Sequence, residues 1–184
     1  MKAAKNIKKN KGFTLIEILV VLALIGVSIG VLGISSSSSA ANNLRKCTNS
    51  VNSMIARCRI NSMYRAEPVF VEFIVSGGNI VGRYHERCLN EICTREDCEE
   101  NGFHVDEQIM GKSGITVTPV IDGEESGLPL RISFTRRGAL ILADETGAPL
   151  DGEPSLEEIR FSNGTLTYLI DITPETGNRR VRAG

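Results

Sequence analysis

The sequence predicts an α+β fold in which one long N-terminal helix, membrane-spanning in its first part and amphipathic in its second, packs on an antiparallel β-sheet domain. Three observations carry that expectation. An apolar run fills residues 13–34, apolar residues then recur at helical spacing as far as residue 64, and beyond residue 68 the period drops to two between glycine, proline, asparagine and aspartate turns. At 184 residues and 41% hydrophobic content, the chain makes one modest domain with a hydrophobic arm.

Residues 1–12 hold five lysines (Lys2, Lys5, Lys8, Lys9 and Lys11) and no acidic residue. Set aside, they leave 16 basic residues against 22 acidic ones, a net of −6. Bulk charge therefore gives no case for nucleic-acid binding. Residues 13–34 make a helix of about 33 Å, enough for a hydrocarbon core of about 30 Å. The lysines before that run place the amino terminus in the cytoplasm and the rest of the chain outside. A cleaved secretory signal, with residues 35–41 as its cut site, is the alternative. The length of the run and Glu17 within it argue against that. A carboxylate at bilayer depth costs about 2.5–3.5 kcal/mol, so Glu17 is expected to face a partner and to carry function.

Gly26, Gly30 and Gly33 put small residues near one face of this helix, where another helix can approach closely, although glycine is common in membrane helices anyway. Ser35 to Ser39 are expected to weaken or bend it, since serine hydroxyls compete for backbone carbonyls. Residues 35–64 continue the helix, with Leu44, Cys47, Val51, Met54, Ile55 and Cys58 on one stripe and Arg45, Lys46, Asn49, Asn52, Arg57 and Arg59 largely off it. Residues 65–184 form the β-rich domain. Strands are expected at 69–74 and 80–84 around Ser-Gly-Gly-Asn, and then at 115–121, 130–134, 139–143, 159–161, 165–172 and near 180–182. Asn163-Gly164 marks a tight hairpin.

A basic leader ending in Gly12, followed by Phe13-Thr14-Leu15-Ile16-Glu17 and an apolar helix, resembles the amino-terminal signature of type IV prepilins and type II secretion pseudopilins. The resemblance implies that a prepilin peptidase cuts between Gly12 and Phe13. Phe13 is then N-methylated, and the fold is type IV pilin-like. It further implies a single-pass protein of the cytoplasmic membrane whose C-terminal domain lies outside and which later joins an extracytoplasmic filament. The partners implied are other pilins or pseudopilins, an inner-membrane assembly platform, an assembly ATPase and, before assembly, membrane lipid. Cleavage leaves an ammonium at Phe13, and Glu17 is expected to pair with the Phe13 amine of a neighbouring subunit, because either charge alone in an apolar core is costly. The layout beyond the helix also resembles the minor pseudopilins called GspH/FimT. That likeness rests on Ile55-Ala56-Arg57, Val69, Val71, Ile132-Ser133-Phe134, Gly138 and Gly177.

Cys47, Cys58, Cys88, Cys93 and Cys98 all follow the apolar run, on the side where disulfides are permitted. Cys47 and Cys58 lie about 16.5 Å apart on one helix, so any bridge from them must leave it, most naturally toward the insert at about 85–107. That insert also carries His85 and His104, a soft ligand set for zinc. Without a Cys-x2-Cys knuckle, however, disulfides or buried thiols are preferred and no metal or cofactor is expected. Its acidic residues read as a solvated loop, with a subunit contact as the sharper alternative. No nucleophile elbow, phosphate loop or His-Glu-x2-His is present, and the chain is not expected to be an enzyme. Arg179, Arg180 and Arg182 close the sequence. Some FimT-type pilins use such a terminal motif to capture DNA during natural transformation, whereas an edge strand guarded by charge is the preferred reading here.

Overall fold

The structure, a computed structural model, describes residues 15–65, 68–88 and 102–184, and within these the side chains of residues 29–38 are outside the description. Helix α1 spans Leu15–Tyr64. Its backbone is helical through Ser35–Ser39, where weakening was expected. Ten strands follow: β1 Val69–Ser76, β2 Asn79–Arg87, β3 Phe103–Gly111, β4 Thr116–Ile121, β5 Glu124–Glu125, β6 Leu130–Phe134, β7 Leu140–Leu142, β8 Leu156–Ser162, β9 Thr167–Thr173 and β10 Asn178–Ala183. They form two antiparallel sheets, ordered β3-β2-β1-β6-β7 and β10-β9-β8-β4-β5. The chain divides into two compact units between Ser39 and Ala40.

In the unit that begins at Ala40, the predicted helical stripe is the core. Leu44, Cys47, Val51, Met54, Ile55 and Cys58 are all at most 6% exposed. They join one cluster with Val69, Val71, Phe73 and Ile132 of the first sheet and Ile159, Phe161 and Ile170 of the second. Each such aliphatic side chain contributes about 1.5–3 kcal/mol on burial, which is why this half of α1 needs no special helix propensity to form. Contact with the first sheet is close. A Cβ added to Gly111 on β3 would stand 2.6 Å from the Cys47 Sγ, so only glycine lets the strand pass there. Polar side chains fix the register alongside. The Arg57 guanidinium lies 4.1 Å over the Tyr84 ring and donates to Asp106 at 2.8 Å, and Asn61 Nδ2 donates to the Tyr84 hydroxyl.

The hairpins fall where turn residues put them: β1–β2 turns at Gly77-Gly78, and β8–β9 at Asn163-Gly164. Three features differ from expectation. There are two sheets rather than one. The two-residue β5 is added at the edge of the second. Residues 103–107, expected within a solvated insert, belong to β3, and His85 to Arg87 belong to β2. The reason is tertiary: the charges that make β3 look like a loop lie on the two faces of an edge strand, Asp106 on the helix side where it meets Arg57 and Glu107 on the other where it meets Arg83.

Candidate functional site

Between Leu15 and Val27, ten large aliphatic side chains are 50–80% exposed. A helix that is apolar all round is stable only when something apolar surrounds it, and here half or more of each of these side chains is left uncovered. Glu17 sits in its first turn, where the positive end of the helix dipole favours a carboxylate. Gly26 has open space around it, while Gly30 and Gly33 fall in the stretch whose side chains are outside the description. Gly12 and Phe13 also lie outside the described residues. Among the described residues, no helix is long and apolar enough to cross a membrane.

Cys47 and Cys58 are thiols, fully buried against the strands. Both lie on the buried stripe of α1, and neither is bridged. Cys58 Sγ lies 3.8 Å from the Val69 carbonyl and 3.7 Å from that of Ile132. Burial pushes the Cys47 thiol up to about 11 and that of Cys58 up to about 12, so both stay protonated and unreactive. Cys88 is half-buried at the end of β2, and its N–H donates to the Gly102 carbonyl at 3.0 Å. Cys93 and Cys98 lie outside the described residues. The zinc reading is split by the sheet itself. His85 pairs with Val105 and His104 with Glu86, so the two histidines face opposite sides. His85 stacks on Phe70 with centroids 4.2 Å apart. No group of three or more metal-ligating side chains occurs among the described residues.

The terminal arginines do not share a face. Arg179 turns inward to α1, donating from Nε to Asn52 Oδ1 at 3.0 Å and from a terminal nitrogen to the Gly177 carbonyl at 3.2 Å. Burial, and then the nearby Arg59 guanidinium, pull its pKa below the ordinary arginine value. Arg180 and Arg182 lie on the opposite side of β10. Arg182 donates to Asp171 at 2.7 Å and to Glu158 at 3.0 Å, and the chain of charges runs on through Arg160 to Glu125. That network depresses the Asp171 pKa, chiefly through the Arg182 hydrogen bond.

Sequence reasoning missed the junction around Arg179. Arg59 donates to the Thr176 carbonyl at 2.6 Å and lies between the β6–β7 and β9–β10 turns. A Cβ on Gly177, whose φ is +61°, would stand 2.3 Å from the Gly138 carbonyl oxygen and 3.1 Å from Arg59 Nε. Gly138 and Gly177 are therefore a packing device that brings both turns onto the helix. In the sequence Gly138 and Gly177 stood only among the residues of a family resemblance, with nothing to link them to Arg59.

Residues 7–33 match the prokaryotic N-terminal methylation motif. The chain thus carries a type IV prepilin-like signal, running from the lysine-rich start through Gly12, Phe13 and Glu17 into the apolar helix. That motif implies processing by a prepilin peptidase and assembly with other pilins. No curated protein and no solved structure matches the chain.

Proposed function

We propose that this chain is a structural, non-enzymatic minor pseudopilin or pilin of the GspH/FimT type. It is cut between Gly12 and Phe13, methylated on Phe13, held in the membrane by residues 13–34, and then built into a type II secretion pseudopilus or type IV pilus-like filament. The observation that carries this is the coincidence of the methylation motif at 7–33 with ten exposed aliphatic side chains between Leu15 and Val27. Lipid before assembly and neighbouring helices after it are the two apolar environments such a segment needs. Glu17 is proposed to pair with the Phe13 amine of the next subunit, fixing the axial register. DNA capture by the terminal arginines is the weaker reading, since Arg179 turns inward and Arg182 is held by two carboxylates.

Mass spectrometry of the chain isolated from cells with a prepilin peptidase tests the first step. The expected amino terminus is N-methylated Phe13, and Gly12→Val leaves the leader in place. An amino terminus within residues 36–42 would overturn the reading in favour of an ordinary secretory signal. Glu17→Ala is expected to be cut normally yet to be lost from sheared filaments; incorporation equal to the natural chain would remove the pairing idea.

A further inference from the structure

Beyond residue 12 the sequence keeps only two lysines, Lys46 and Lys112, and the fold brings both to one end of the unit that begins at Ala40. Lys46 lies on α1 with Arg45 beside it. Lys112 follows Gly111, which packs against the Cys47 side chain. The Ser113 N–H donates to Asn79 Oδ1 at 3.2 Å, which adds the β1–β2 turn to this end, and Thr116 pairs with Ser162, which adds the β8–β9 turn. Residues 40–49, 76–79, 111–118 and 162–167, which build it, contain no aspartate or glutamate. Arg45, Lys46 and Lys112 are exposed, and none of them makes an ion pair among the described residues.

The opposite end reverses the sign. Strand β4 runs from Thr116, opposite Ser162, to Ile121, opposite Leu156, and past that second pair come Asp122, Glu124 and Glu153, with the Ser155 N–H donating to Asp122 Oδ1 at 2.9 Å. Arg136 and Arg137 also make no ion pair among the described residues, but they belong to the far end of α1, where Gly138 packs on Arg59. Place selects the lysine-bearing end: the chain enters the unit there, Arg45 and Lys46 following Ile34 by eleven and twelve residues. With residues 13–34 held in a bilayer, that end stays within reach of the headgroup phosphates while the acidic end is repelled from them, so both charges turn the unit the same way. Val75 and Leu166, 60% and 44% exposed, stand beside the same turns and suit the interfacial layer, where an apolar body next to a cation is favourable.

We propose that this end of the unit docks on the anionic phosphates of lipid headgroups, with Arg45, Lys46 and Lys112 as its charged contacts and Val75 and Leu166 entering the interfacial layer. The proposal rests on the membrane-held stage of the reading above. Flotation of the chain with vesicles reads that stage separately from docking.

The experiment reconstitutes the full chain in phosphatidylcholine vesicles with and without phosphatidylglycerol. An impermeant amine reagent is added, and acylation of Lys46 and Lys112 is followed by peptide mass spectrometry on chains whose β domain faces the outside. Expected is that both lysines react about fivefold more slowly in the anionic vesicles and recover at high salt. Arg45→Gln should restore much of the Lys46 rate, with an unchanged melting temperature to show that it folds. Glu124→Lys supplies a reporter at the acidic end, expected to react equally in both vesicles. Equal rates for Lys46 and Lys112 in the two vesicles, or slowing that the Glu124→Lys reporter shares, would overturn docking while leaving flotation and the Gly12–Phe13 result intact. Protection by inorganic phosphate in phosphatidylcholine vesicles would overturn it too, in favour of a free-phosphate site. A chain that floats with neither vesicle overturns docking and the membrane-held stage together.

Discussion

The two stretches of α1 obey opposite rules. From Leu15 to Val27, aliphatic residues occupy every side of the helix and remain exposed, whereas from Leu44 to Cys58 they keep to one stripe and are buried. The first stretch therefore takes its environment from outside the chain, and the second makes its own. Backbone conformation does not distinguish them, since both are helical throughout. What differs is where the hydrophobic free energy is realised: in folding for one and, on the function proposed above, in membrane insertion or assembly for the other.

That contrast can be broken at single residues. Ile55→Ala removes a fully buried side chain at the centre of the core and is expected to cost about 2–5 kcal/mol in urea unfolding of the full chain in detergent. Leu19→Ala should leave that transition within about 0.5 kcal/mol and show its effect only in membrane retention and filament incorporation. Equal losses in the two variants would erase the distinction. Gly177→Ala comes next, expected to lose about 1–3 kcal/mol because the added carbon meets the Gly138 carbonyl and the backbone is left-handed there. Smaller in energy but sharp in readout is thiol access. Cys47 and Cys58 should resist maleimide at pH 8 in the folded chain and react on unfolding, since burial keeps both thiols protonated.

The smallest effect expected is electrostatic. Asp171 has a depressed pKa in the folded chain, so its contribution is present above the ordinary aspartate range near about 3.9 and is lost as pH falls through the folded value. Melting temperature should therefore decline on acidification below about pH 4. Arg182→Gln should lower the neutral-pH midpoint slightly and flatten that decline by the same amount. The pair is solvent-exposed, which keeps the effect small.

How much of this could be seen in advance follows the same division. Periodicity alone picked out Leu44, Cys47, Val51, Met54, Ile55 and Cys58, because helix packing selects residues by spacing and the stripe is unbroken. Turn chemistry located the hairpin at Asn163-Gly164 for a similarly local reason. The edge strand β3 was not legible, since Asp106 and Glu107 suit a strand only once Arg57 and Arg83 stand beside them, and those lie far away in sequence. The division of the strands into two sheets depends on which pairings win across long separations, as with β1 and β6. The fate of the terminal arginines was hidden likewise. Alternation along β10 puts Arg179 on one face and Arg182 on the other, but only the neighbouring elements supply Asn52 for one and Asp171 for the other.

One consequence of the β2–β3 pairing concerns how this protein can change. The last rung joins Arg87 to Phe103, and the Cys88 N–H reaches the Gly102 carbonyl, so the chain leaves the ladder and returns to it within one hydrogen bond. The ends of these two strands are thus clamped to each other by main-chain groups alone, so the register of the edge strand does not depend on which side chains stand at Arg87 and Cys88, and both positions can change identity while the ladder stays as it is.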